Sequence, residues 1–196
     1  DPKKLQGDGW GIGFYMDGDV KLVKSEKAVY EDYVAFSSTI DSATSQIIIA
    51  HIRQASNPRG LPREKIISVE SSQPFTYKNF LFAHNGVVRI PDEVIKILGR
   101  WRQEIKGFND SEVYFWFIVK EIVDRGSDVP SAIRSFRETL NELWERCRDN
   151  YPQFKGPYEG LNMIFSDGKK LYAYAKYTEE ERVSKSICYK DQPSLQ

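Results

Sequence analysis

The sequence predicts an α+β fold, with strands grouped before and after a central pair of helices rather than alternating with them. Three observations carry that prediction. Two aromatic-rich segments are broken by Asp-Gly, at 17–18 and 167–168, which is the turn chemistry of a β-hairpin. The run QIIIAHIR at 46–53 is β-branched and apolar on both faces, as a strand is. Between 109 and 147 two helical patterns follow one another directly.

The elements follow in order. GWGIGFYM (9–16) and DVKLVKS (19–25) flank Asp17-Gly18 and make the first hairpin. Residues 26–40 are ambiguous, with Tyr30, Tyr33, Val34 and Phe36 at weakly helical spacing. QIIIAHIR is expected to lie centrally in a sheet, because both its faces are apolar. Residues 54–72 hold two prolines and read as a long loop, of a length that is often functional. FTYKNFLFAHNG (75–86) is a second pairing element, and 91–108 a short helix and loop.

NDSEVYFWFIVKEIVDRG (109–126) starts as a helix should. Asn109 can cap it, and Glu112 three residues on would complete a capping box. Its apolar residues run nearly all round, so it is packed on more than one side. In the next helix Ile133, Phe136, Leu140, Leu143, Trp144 and Cys147 form one stripe, which makes Cys147 a core residue rather than a nucleophile. LNMIF-SDGK-KLYAYAKY (161–177) is the second hairpin. The tail at 178–196 is charged and patternless. With no repeat and no internal linker, residues 1–196 read as a single domain.

Composition narrows the function. The chain has 196 residues, 40% of them hydrophobic, enough for one domain with a real core. Its 28 basic and 28 acidic residues balance, so no broad attraction to nucleic acid or an anionic membrane is expected. The apolar run at 113–119 is too short to span a bilayer. Cys147 and Cys188 give neither a disulfide framework nor a CxxC, and a cytoplasmic setting is expected. His51 and His84 lack carboxylates at ligand spacing, so neither a metal nor a cofactor is expected. The first residue is Asp1, with no methionine and no signal-like segment, which points to processing or trimming.

Four short stretches could carry chemistry. GDGWGIG (7–13) fails GxGxxG in every register, so its glycines are expected to allow close backbone approach rather than to cradle phosphate. AHIRQAS (50–56) puts His51 and Arg53 on one strand face and Ile52 on the other. Taken alone, Arg53 reads as an exposed surface charge; its guanidinium could instead grip a carboxylate. Ser56 could add a hydroxyl hydrogen bond. AHNG (83–86) is open between two readings. Asn-Gly is a strong turn signal, while the Asn85 amide and the Gly86 N–H could together stabilise an oxyanion. In NDSE (109–112), Asp110 complements a helix dipole, and could also bind an ammonium group.

In combination these stretches are more specific. GDGWGIGFY, AHIRQAS, SQPF, FLFAHNGVV, NDSE and LNMIFSDGKKLYAYAKY, in this order, resemble the class II glutamine amidotransferases, over about residues 7 to 177. The type resembled is the stand-alone bacterial and archaeal one with a DGWGIGFY segment. The resemblance implies an N-terminal-nucleophile hydrolase with a four-layer αββα sandwich. It implies that Arg53 holds the α-carboxylate of glutamine and Asp110 its α-ammonium. Ser56, where the family usually has Thr, would touch the substrate, and Asn85 and Gly86 would form the oxyanion hole.

The family's nucleophile is a cysteine at the mature N-terminus, with its own α-amine as base. The chain starts Asp1-Pro2 and lacks both that cysteine and the first strand that carries it. Its tail matches the family's last strands poorly, so strands are expected to be missing at that end too. Gln54 and Gln73 stand where some relatives have Trp and His. The implied activity is amide hydrolysis of glutamine or another γ-glutamyl compound, through a thioester on a cysteine outside this chain. The implied partners are that small molecule and a separate ammonia-accepting synthase subunit. The alternative is an amino-acid-binding module that keeps the pocket without the nucleophile.

Overall fold

At the first hairpin, Asp17 and Gly18 both take positive φ (55° and 85°), the geometry a two-residue turn between twisted strands requires. The computed structural model describes residues 6–177, and the turn joins its strands β1 (Trp10–Met16) and β2 (Asp19–Ser25). A third strand, β3 (Ile48–Ile52), pairs with the other side of β1, from Trp10↔Ile52 to Phe14↔Ile48. The sheet order is β2-β1-β3, all antiparallel.

This corrects the expectation that QIIIAHIR is central. β1 is the central strand, and β3 is an edge strand of this sheet among the described residues. Ile49 is buried on its inner face, while Ile48 and Ile52 on its outer face are 45% and 41% exposed. Apolarity on both faces reports what covers a strand from above and below, and leaves its lateral neighbours open.

The second sheet has the order β4-β5-β6-β7, from β4 (Phe75–Tyr77), β5 (Phe80–Val88), β6 (Tyr158–Ser166) and β7 (Leu171–Tyr174). Leu81 and Ala83 of β5 pack with Ile49 of β3 between the two sheets. The glycines of β1 make that approach possible. A Cβ on Gly11 would lie 2.2 Å from the Gln73 carbonyl oxygen, and one on Gly13 2.7 Å from Leu81. The outer face of β1 carries Trp10, Ile12 and Phe14, covered by Phe36 of helix α1 (Tyr33–Ser42), which begins inside the ambiguous stretch and runs two residues past it.

On the far face of the second sheet lie α4 (Asp110–Arg125) and α5 (Val129–Cys147). They are preceded by the one-turn α2 (Arg63–Ile66), by α3 (Pro91–Ile97) and by a 3₁₀ turn at Gly99–Glu104. Tyr114 of α4 stacks on Phe136 of α5 at 4.0 Å and meets Phe82 of β5 edge-on. Cys147 is buried in this core, as its place on the stripe predicts. Asn109 caps α4 by accepting from the Ser111 N–H at 2.8 Å. The capping box does not close: Glu112 instead accepts from Lys106 and Gly107 N–H and holds the preceding loop. The fold is thus α+β, built on antiparallel sheets. No helix among the described residues is long and apolar enough to cross a membrane. The tail and Cys188 lie outside the described residues.

Candidate active site

Asn85 and Gly86 do not form a turn. Both lie inside β5, opposite Asn162 and Leu161 of β6. Long-range pairing overrides the local Asn-Gly preference, and the glycine has another reason. A Cβ on Gly86 would stand 2.0 Å from the Gly160 carbonyl oxygen, so only glycine lets β6 approach here.

The direction of the Gly86 N–H follows from its neighbours. The Leu161 N–H opposite it points the other way, to the Lys176 carbonyl at 2.8 Å, so Gly86 and Leu161 are a non-hydrogen-bonded pair. The Gly86 N–H therefore points away from β6. The two flanking N–H groups on that side are both taken, His84 by Gln73 Oε1 at 2.6 Å and Val88 by Asp110 Oδ2 at 2.6 Å. The Gly86 N–H between them has no partner among the described residues. Side chains at 81 and 83 face the first sheet, and by strand alternation so does Asn85. Its amide is exposed and also without a protein partner among the described residues.

Both groups border a polar cavity of about 280 Å³ at the ends of β3 and β5, which Arg53 and Ser56 also line. Arg53 is 2% exposed, which overturns the surface reading of that residue. Its backbone is fixed on both sides, by Arg53 N–H to the Gly9 carbonyl at 2.8 Å and Asp8 N–H to the Arg53 carbonyl at 3.0 Å. Its guanidinium carries five donors, yet donates one long bond, to the Asp8 carbonyl at 3.3 Å, and has no ion pair among the described residues. The Asp8 carboxylate is engaged elsewhere, by the Ala55 N–H and by Arg63. Burial pulls the guanidinium pKa below its usual value, opposed by the charges of Asp8 and Asp110. A buried cation with spare donors facing a cavity is suited to a carboxylate ligand.

Asp110, the first residue of α4, is 2% exposed. Its Oδ1 accepts from Ser56 Oγ at 2.7 Å, and its Oδ2 takes the Val88 N–H. The carboxylate stands directly behind Ser56, while Asn109 and Ser111 beside it line the cavity. Arg53, Ser56, Asn85 and Gly86 are thus gathered around one space, while Asp110 is not among its lining residues and connects to it through Ser56. Cys147 is not among the lining residues. No group of three or more His, Cys, Asp or Glu side chains poised to hold a metal occurs among the described residues.

Sequence reasoning missed Gln73, His84 and Ser111. His84 Nε2 faces the Gly160 carbonyl at 3.0 Å, so it carries the proton, and Nδ1 accepts from Ser111 Oγ at 2.8 Å. Burial lowers the His84 pKa. His51 is pulled down to about 4, first by burial and then by the charges of His84 and Arg53. Both imidazoles are neutral in the fold. Their unfolded pKa is near 6.5, so the stability they contribute is fully present above about pH 6.5 and is lost as pH falls toward the folded values. The expected melting temperature is flat from pH 8 to 7 and falls from pH 6.5 to 5, above the carboxylate range. Melts of wild type and His51→Gln check this, the variant showing the shallower fall.

A family model described as class II glutamine amidotransferases matches residues 3–191. The chain belongs to that family. A glutamine amidotransferase class II domain protein of Silicibacter pomeroyi superposes with a TM-score of 0.60, over 88% of this chain and 70% of that one, at 21% identity. Glutamine phosphoribosylpyrophosphate amidotransferase of B. subtilis superposes at 0.51, over 87% of this chain and 31% of that one, at 16% identity. Among curated proteins, an uncharacterized protein of Methanocaldococcus jannaschii is 31% identical over 180 residues, 87% of this chain and 43% of that protein. The γ-glutamyl-hercynylcysteine sulfoxide hydrolase of Mycolicibacterium smegmatis is 27% identical over 170 residues, 86% of this chain and 61% of that protein. This class II amidotransferase chain therefore spans less than two thirds of the length of either curated relative.

Proposed function

We propose that this class II amidotransferase hydrolyses the γ-amide of glutamine or of another γ-glutamyl compound, with residues 1–196 forming one domain of that type. The observation that carries the proposal is Arg53: a buried guanidinium, short of partners, beside a polar cavity. The α-carboxylate of the substrate takes the free donors of Arg53. The α-ammonium goes to the Ser56–Asp110 pair, whose carboxylate keeps lone pairs beyond the two bonds it accepts. One cation and one anion fix the two charged ends of an amino acid, and the γ-amide then extends toward Asn85 and Gly86.

The nucleophile in this proposal is a cysteine at a mature N-terminus outside this chain. Its thiolate attacks the γ-carbonyl carbon, and the oxygen takes up the negative charge and accepts from the Asn85 amide and the Gly86 N–H. The tetrahedral adduct collapses to a thioester. The amine leaves with a proton from the nucleophile's own ammonium. Water then cleaves the thioester to glutamate. Two features support this: the edge of β3, and an apolar groove of about 360 Å³ between it and β5, β6 and β7, beside Asn85. They leave room for a strand that delivers the cysteine. We read α1 on one sheet and α4 and α5 on the other as the outer layers of an αββα sandwich. The likeness to a γ-glutamyl hydrolase supports including γ-glutamyl amides other than glutamine. With glutamine, the ammonia released goes to water or to a separate synthase subunit. Glutamate release by the product of the whole gene tests the proposal, and an amino-acid-binding module would bind glutamine and release none.

A further inference from the structure

We propose that Gln73 is a positioning residue for the oxyanion donors, holding the open edge of β5 in register so that Gly86 N–H and Asn85 face the cavity. The inference rests on the hydrolytic role proposed for those two residues. β4 pairs with β5 only through Phe82, so from Ala83 onward that edge of β5 has no neighbouring strand among the described residues. Gln73, two residues before β4, takes the place of one. Its Oε1 accepts the His84 N–H at 2.6 Å and its Nε2 donates to the His84 carbonyl at 3.0 Å, so one side chain supplies both halves of a strand pairing. The next N–H along the same edge is that of Gly86.

Gln73 is itself held. Its carbonyl abuts Gly11 of β1, where a Cβ would come within 2.2 Å, and it is 4% exposed. The His84 ring adds a second anchor, bridging Ser111 on α4 to the Gly160 carbonyl on β6. The residue directly before Asn85 is thus fixed through its N–H, its carbonyl and both ring nitrogens. Gln73 borders the cavity but bonds the backbone of His84 rather than Asn85 or Gly86, so it acts on the donors' direction.

Gln73→Met in the full-length gene product tests this, because it keeps the bulk and removes both bonds. The expected result is a fall in kcat of about 10- to 100-fold, with KM for L-glutamine within about threefold of wild type. Amide hydrogen exchange at His84, whose N–H Gln73 accepts, speeds up by about tenfold, with α4 unchanged. A loss carried by KM alone, or an unchanged kcat, overturns the proposal. If the wild-type protein hydrolyses no γ-glutamyl compound, the proposed function fails and exchange alone decides: unchanged protection at His84 overturns the clamp. Should Gln73→Met fail to fold, Ser111→Ala keeps both bonds from Gln73 to the His84 backbone and removes the hydroxyl that anchors the His84 ring and accepts a long bond from Gln73 Nε2 at 3.4 Å. It should give a smaller fall in kcat with KM held, and wild-type kcat and exchange would count against the proposal.

Discussion

Arg53→Met weakens glutamine binding by roughly 30- to 5,000-fold and leaves the melting temperature unchanged or raised. The two halves of that expectation have one cause. In the ligand-free fold Arg53 is a buried charge with a single long hydrogen bond, which costs stability rather than adding to it. An apolar side chain of similar length removes the cost. With ligand bound, the same guanidinium meets a carboxylate in a desolvated setting. Losing one partner of such a pair costs about 2–5 kcal/mol, roughly 30- to 5,000-fold in Kd. Arg53→Lys restores the charge without the two-donor fork and should recover only part of the affinity. Calorimetric titration with L-glutamine and thermal melts check both halves. Wild-type affinity in Arg53→Met would remove the carboxylate assignment.

Asn85→Ala lowers kcat by about 10²–10³-fold with KM little changed. Its amide has no protein partner among the described residues and its side chain is exposed, so truncation leaves no buried group unsatisfied and should not move the melting temperature. Gly86 cannot be tested as cleanly. Any side chain there collides with the Gly160 backbone, and a loss of activity would report displaced strands. Steady-state kinetics on Asn85→Ala check the expectation, and an unchanged kcat would remove the oxyanion role.

Much of this site was legible because each of its residues sits at the end of a readable element. Arg53 ends an apolar β-branched run, Asn85 and Gly86 come late in another, and Asp110 opens a capped helix. The hairpin at Asp17-Gly18 and the α5 stripe were legible because turn chemistry and helical period are local. What was not legible depends on neighbours distant in sequence. β3 sits at an edge because of what pairs with β1, which no feature of QIIIAHIR encodes. Asn-Gly was ambiguous because its turn preference is local, while its pairing with Leu161 and Asn162 is not. Glu112 has the spacing of a capping box, yet bonds the Lys106–Gly107 loop because that loop folds back over the helix start. Gln73 showed in the sequence only as a departure from the His of some relatives, with no sign of what it does. Its role exists only because β4 ends at Phe82's partner and leaves the His84 backbone open.

The most direct test of the central claim is glutamate release from L-glutamine by the product of the whole gene, assayed beside a variant with the proposed N-terminal cysteine changed to serine and beside Arg53→Met. Release by the wild type, lost in both variants, with glutamine binding kept in the serine variant alone, is the predicted result. Glutamine binding without release in the wild type would contradict the hydrolytic claim and leave an amino-acid-binding module. Release that survives Arg53→Met would contradict the site itself.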